Sequence, residues 1–489
     1  MHRRLALALA ATLAAAPLAA VPTMAPAASA DESPDVPALT LRLPARTVAQ
    51  IYGSPKRRTE VPINVSLRAG AHPFEIWATR ASYDEGIKVV WRGPDGDVEL
   101  PAGSMRDFQG LHKFLRITVK DLADGRTRTL TRNTCLNSYE SQRTRPDASP
   151  YTPYPYDCGY NPYTLGIVQG IQAGWTTNVL GWNSPLKLFR GKYDVTVSVA
   201  PEYANAFGID PALLTAKTRV IVKKGPDEDH PEAIERSDHA PQPRSGPPTG
   251  APMSEAEAVE GPVPDLRSLP AWGISISSNG DNLLFGATVW NAGDSPLVVD
   301  GFRVEGEDEM DAYQYFFDSD GNQTGYQPVG HFHWDAKPSH QHWHFKDFAR
   351  YTLLREDLSQ VVRSRKEAFC LANTDFVDAT VPGAAWRETT DDLSTSCGDQ
   401  DSQSLREVLS SGWGDTYTQI RAGQSFRLKG LPNGVYYIEV RANPNGRLVE
   451  ADTEDNVSLR KIVIGGKPGA RTVQVPQVGI IKEPPPYTE

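Results

Sequence analysis

Along the first half of the chain, apolar and polar positions alternate in short runs. "TLRLPA", "VPINVSLRA", "FEIWATRA", "IKVVWRG", "LRITVKDL", "YDVTVSVA" and "TRVIVKK" are rich in β-branched and aromatic residues, and Gly, Pro, Asp and Asn punctuate them. No stretch sustains the 3.6-residue period of an amphipathic helix. The pattern predicts strands and turns from residue 31 to about 225, arranged as a β-sandwich. It resumes near "VPDLRSLP", where "LLFGATVWN" and "PLVVDGFRV" read as strands among Asn-Gly and Asn-Ala-Gly turn signals. It closes with "GVYYIEVRANPNGRLVEADTEDNVSLRKIVIGG", two strand runs around a polar connection. The helical expectation in this half is "SQSLREVLSSG", capped by Gly412.

Between the two patterned halves, "GPDEDHPEAIERSDHAPQPRSGPPTGAPMSEAEAVEGPVP" is Pro-, Glu-, Asp- and Ser-rich and nearly free of large apolar residues. Such a composition buries too little surface to order itself and reads as a linker, with His230 and His239 solvated inside it. The expected class is therefore all-β, two β-sandwich-like domains on a Pro/Glu-rich linker. The expected divisions are an N-terminal domain over 31–225, a disordered linker over 226–262, a second domain over 263–466 and a Pro-rich extended tail over 467–489. Within the first domain, "SQRTRPDASPYTPYPYDCGYNPY" reads as a long irregular loop packed on its own tyrosines.

The first thirty residues carry Arg3 and Arg4, an Ala/Leu run, and Ala28-Ser29-Ala30 at a signal-peptidase position. The apolar run is too short to span a bilayer and is broken by Pro17 and Pro22, and no later stretch has spanning length. These features predict an exported, extracellular protein with no membrane span. Its removal leaves 459 of 489 residues, enough for two domains, and takes the net charge from −10 to −12. That balance argues against nucleic-acid partners and mildly favours cationic ones. The four cysteines, Cys135, Cys158, Cys370 and Cys397, lack C-x-x-C spacing. An even number in an oxidising compartment favours disulfides, and sequence proximity suggests 135–158 and 370–397.

Five of the ten histidines fall between positions 331 and 344, three of them in "PSHQHWHF". On a strand, His340, His342 and His344 share one face, so three imidazoles would converge as a nitrogen-donor metal site. A site of imidazoles without thiolate or carboxylate suits Cu(II) or Zn. His331 and His333 share the spacing but lie across Pro338, in a supporting rather than ligating place. No zinc-hydrolase signature accompanies the cluster. "EADTEDN", residues 450–456, clusters carboxylates without the EF-hand spacing and reads as a hairpin turn rather than a Ca²⁺ loop.

"SHQHWHFKDFARYTLL" resembles the copper-binding segment of the lysyl oxidase family. "RKEAFCL", "SGWGDTY" and "GVYYIEVRANPNGRLVEADTEDN" follow in that family's order, and "VPDLRSLP" resembles the start of its catalytic domain. The resemblance spans about 263–464 and leaves the N-terminal domain unassigned. It implies Cu²⁺ held by His340, His342 and His344, and a lysine tyrosylquinone cofactor formed from Lys366 and Tyr417. In that family copper and O₂ oxidise the tyrosine ring to a quinone, to which the lysine amine adds. The resulting carbonyl electrophile condenses with a primary amine and releases aldehyde, ammonia and H₂O₂. The implied substrates are peptidyl lysine, in a peptide or protein, or small amines. A base must then take the α-proton. Asp415 and Asp347 are the nearest carboxylates in sequence, with Asp335 a weaker third.

Animal members of that family carry a Cys just before the first ligand histidine, and Ser339 stands there in this chain. The departure puts the family's disulfide framework and animal substrates in doubt more than the chemistry. The competing expectation is an extracellular copper-binding or adhesion module without amine oxidase activity, and zinc hydrolysis ranks behind it.

Overall fold

A computed structural model of the chain describes residues 37–51, 58–159, 161–180, 184–224, 246–304, 307–335, 342–364, 366, 368–387, 393–421 and 423–486. The expected signal, residues 226–245 of the expected linker, and His340 lie outside the described residues.

Among the described residues, regular structure is almost entirely strand, as the alternation predicts. Each quoted run of the N-terminal half contributes a strand. In Phe74–Thr79 the alternation is literal: Phe74, Ile76 and Ala78 are fully buried while Glu75, Trp77 and Thr79 are half-buried on the other face. One sheet runs in the order Arg46–Ile51, Thr215–Lys224, Gly191–Val199, Leu111–Asp121, Thr127–Thr134. Two further sheets, centred on Ser66–Ala69 and Phe74–Thr79, pack with it around Ile76, Phe114, Ile117, Val195 and Val197. Cys135 and Cys158 are joined, and in the loop they close Tyr139 stacks on Tyr156 at 4.5 Å.

The strands that place the site lie in the C-terminal half. They are β1 (Asn282–Asn291), β2 (Leu297–Arg303), β3 (Glu309–Phe317), β4 (Gln323–Asp335), β5 (His342–Lys346) and β6 (Ala349–Arg355). The others are β7 (Ala368–Phe369), β8 (Asp375–Phe376), β9 (Ser404–Leu409), β10 (Trp413–Tyr417), β11 (Gly434–Ala442) and β12 (Val457–Lys467). One sheet has the order β7-β5-β4-β3-β2-β9. A second contains β1-β10-β8, and a third β6-β11-β12. Their inner faces meet in a core that includes Phe285, Phe332, Phe345, Tyr351, Phe369 and Phe426. Each such aromatic withdrawn from water contributes roughly 1.5–3 kcal/mol.

The expected helix at "SQSLREVLSSG" is a strand instead. β9 pairs with β2 from Leu297–Leu409 to Phe302–Ser404. Leu405, Glu407 and Leu409 turn inward, while Arg406 faces out to Asp300 at 2.6 Å. Pairing with a buried neighbour outweighs local helix preference here. Gly412 does take a left-handed conformation, φ +85°, but at a turn between β9 and β10.

Residues 246–262 of the expected linker include the short helix Glu255–Ala258, with Ser254 and Glu257 forming a capping box. Met253 N–H donates to Tyr326 O at 3.0 Å and ties this segment to β4. The tail is extended but paired: Ala470–Gln474 adds a strand beside β12, and Ile481 is buried.

From residue 37 onward, the described residues form one compact unit. Residues 161–166 of the N-terminal half run against β8. Leu165 N–H donates to Val377 O at 2.6 Å, and Ala379 N–H to Gly166 O at 3.0 Å. A Cβ at Gly166 would overlap the side chains of Asp378 and Thr380, so only glycine permits this approach.

Candidate functional site

Lys366 and Tyr417, fifty-one positions apart, meet in the C-terminal core. The Lys366 Nζ stands 3.9 Å from the Tyr417 ring centroid and 4.9 Å from that of Phe369. β10 pairs with β1 through Val289–Asp415 and Ala287–Tyr417, and this register turns Asp415 and Tyr417 toward the core. Lys366 lies between β6 and β7. Its N–H donates to Ser364 Oγ at 3.1 Å, and Ser364 Oγ donates to Gly423 O at 2.8 Å. Gly423 has φ +86°, and a Cβ there would come 2.8 Å from Lys366 Cβ, so the glycine makes room for the lysine stem. The lysine is 8 % exposed, far from the solvated surface position usual for its type.

The Tyr417 hydroxyl donates to Cys370 O at 3.0 Å, and its ring meets Phe369 edge-on at 5.2 Å. Desolvation pushes its pKa up, and the carboxylates of Asp415 and Glu407 push it further. Burial also raises Asp415 well above the usual carboxylate range. The Lys366 ammonium opposes that shift, Asp375 adds to it, and the Ala372 N–H partly offsets it. Glu407 is fully buried and likewise raised well above its ordinary value by burial, although Leu371 N–H donates to its Oε2 at 2.8 Å. Asp415 Oδ2 and Glu407 Oε1 are buried and have no hydrogen-bond partner among the described residues. Orphaned buried carboxylate oxygens cost of order 1–3 kcal/mol each, and such a cost at one place calls for a reason in function.

The imidazoles occupy the next strand. β4 and β5 pair antiparallel with His333 opposite His344 and Asp335 opposite His342, so all four side chains share one face. His342 and His344 bring their Nε2 atoms to 2.9 Å, the ring centroids 4.5 Å apart. Two nitrogens each ~2.0 Å from one metal and at a right angle would have nearly this separation. The donor set thus fits a nitrogen-ligated metal such as copper. His333 lies 5.8 Å from His344, ring to ring, while His331 is exposed and pairs with Asp311 at 3.2 Å.

Alternation separates the two groups. Phe345 follows His344 and faces inward, paired with Phe369, whose ring touches Lys366 and Tyr417. Lys366, Tyr417 and Asp415 are therefore together on the inner side of β5, and His342 and His344 lie on its outer side. Asp347 stands apart from both, in the turn after β5 with φ +63° and 3.8 Å from Arg447. Among the described residues, one group of three possible ligands crowds within 4.8 Å: Cys370, Cys397 and Glu407. Both sulfurs are committed to a disulfide, so this group is not a metal site.

Residues 318–472 match a family model described as lysyl oxidase. The match supports membership of the lysyl oxidase family for this part of the chain. The match takes in the histidine strand, Lys366, Asp415 and Tyr417, and it begins inside the expected second domain, leaving β1, β2 and β3 outside. Comparison with curated proteins gave no match. The lysyl oxidase domain nonetheless uses those outer strands, since β1 holds β10 in register and β2 holds β9. Sequence reasoning missed Glu407, whose inward period-two place between Leu405 and Leu409 was the available signal. It also missed Ser364 and Gly423, which carry no motif.

Proposed function

We propose that this chain is a secreted copper amine oxidase. In this reading it converts a primary amine, O₂ and water to an aldehyde, ammonia and H₂O₂, on peptidyl lysine or small amines. The observation that carries the reading is the buried Lys366 amine 3.9 Å from the Tyr417 ring, inside a domain of the lysyl oxidase family. His340, His342 and His344 would hold copper, which with O₂ supplies the oxidising power for turning the Tyr417 ring into a quinone. Lysine tyrosylquinone, built from Lys366 and Tyr417, would supply the carbonyl electrophile that a primary amine needs.

The chain's own residues do the rest. Ser364 and Gly423 hold the lysine stem so that its amine meets the ring without a search, which supplies the proximity that an intramolecular bond requires. Phe369 and the surrounding core exclude water from the ring. Asp415, whose carboxylate burial raises well above its ordinary range and so makes a stronger base than an exposed one, is the proposed base for the substrate α-proton. Secretion is supported by the amino-terminal sequence and by the Cys135–Cys158 and Cys370–Cys397 disulfides, which persist in oxidising compartments. Among the described residues, no helix is long and apolar enough to cross a membrane.

The test is to add copper and air to the purified apoprotein. A visible quinone band should develop, and peptide mapping should find Lys366 joined to Tyr417. H₂O₂ release from a primary amine should follow and should vanish in Tyr417→Phe. Unmodified Lys366 and Tyr417 after copper loading, with no band, would rule the reading out.

A further inference from the structure

The carboxylate of Asp335 has no place in the chemistry just described, yet it is largely buried beside the metal-binding strand. It is the last residue of β4, paired across to His342, and its side chain is 11 % exposed. The antiparallel register puts it on the same face as the imidazoles. Its Oδ2 lies 3.9 Å from Nδ1 of His344, a ring that is itself 5 % exposed. The other nitrogen of that ring, Nε2, points to Nε2 of His342 at 2.9 Å. His344 therefore presents one nitrogen to the shared ligand position and the other to a carboxylate. The 3.9 Å separation is an ion-pair distance, about 1 Å beyond a hydrogen bond. A ligating histidine that donates its other N–H to a carboxylate has its tautomer and ring orientation fixed and its basicity raised.

From this geometry we propose that Asp335 is the positioning residue for His344. It sets Nε2 as the metal-facing nitrogen by holding the Nδ1 side. The proposal rests on the copper reading above. It moves Asp335 from the substrate's α-proton to the metal, and it gives β4 a part in the site that β5 alone does not have. Asp311 serves as an internal comparison. It lies on the adjacent strand β3 with an acid–imidazole pair of its own, to His331, but both partners are 48 % exposed and the ring is outside the cluster. Solvent screening leaves such a pair little influence.

The experiment uses the full mature chain, stripped of metal and titrated with Cu²⁺ against a competing chelator, with electron paramagnetic resonance of the copper-loaded forms. Asp335→Asn and Asp335→Ala should each weaken copper binding about 10- to 100-fold. Both should alter the copper hyperfine pattern, while the melting temperature of the apoprotein changes little. Asp335→Glu should recover most of the affinity, and Asp311→Asn should bind as the parent does. Unchanged affinity and spectrum in either folded Asp335 variant, alongside loss of copper in His344→Ala, would overturn the proposal and leave the copper reading intact. Full copper binding in His344→Ala would overturn the copper reading itself.

Discussion

At the scale of single residues, the core around Tyr417 is governed by two carboxyl groups that burial keeps from ionising readily. Desolvation is the larger effect on both Asp415 and Glu407; like-charge repulsion from Asp415 raises Glu407 further, and repulsion from Asp375 raises Asp415 further. A proposed base with a raised pKa is protonated, and so disabled, at a higher pH than an exposed carboxylate near ~4. The acidic limb of the rate profile should therefore lie well above that value. Asp375→Asn removes the repulsion on Asp415 but keeps the shape, so it should lower the Asp415 pKa and move the limb to lower pH. Asp415→Asn should remove the limb and cut the rate by about 10²- to 10⁴-fold, the usual contribution of a positioned base. Profiles of kcat against pH for the three proteins check this, and a limb that survives in Asp415→Asn assigns the base elsewhere.

At the scale of elements, the site is legible in proportion to how local its signals are. The histidine spacing of two names a strand and a shared face without further help, and β5 carries His342 and His344 in that way, His340 lying outside the described residues. Lys366 and Tyr417 came only through segment likeness, because nothing local to either marks a partner fifty-one residues away. Glu407 escaped because Ser404–Leu409 has helix-compatible composition, and only pairing with β2 makes it a strand with an inward glutamate. The support behind β10 was equally invisible. Asn161 Nδ2 donates to Asp375 Oδ2 at 2.8 Å and to Thr288 Oγ1 at 3.1 Å, and Thr288 shares a hydrogen bond of 2.7 Å with Thr416, between Asp415 and Tyr417. Asp375 is buried and its pKa raised by burial, so its hydrogen bonds are costly to lose. Asn161→Ala should destabilise the protein by about 1–3 kcal/mol in chemical denaturation. A change within experimental error would mean that this contact does not brace β10.

At the scale of the whole molecule, the sequence suggests two domains on a loose tether, whereas the contacts describe halves that lean on one another. Tyr163, from the N-terminal half, is fully buried among Leu269, Trp272, Trp290 and Val377. Its hydroxyl donates to Glu483 Oε1 at 3.1 Å, which also accepts from Arg460 at 2.5 Å. Tyr154 and Val168 pack with Phe376 and Ala379 in a second apolar cluster. Trp413, at the start of β10, packs against that cluster, so the strand bearing Tyr417 is seated partly on N-terminal residues. The composition of 226–245 makes it a ready site for proteolysis. A cut there removes one covalent link but none of these contacts. Limited proteolysis should thus give two fragments that co-elute under native conditions and separate only in denaturant, with copper binding retained by the nicked protein. Fragments that elute apart without denaturant would show that the shared apolar clusters and the Asn161–Asp375 contact are too weak to hold the halves, and that the tether is what keeps β10 in place.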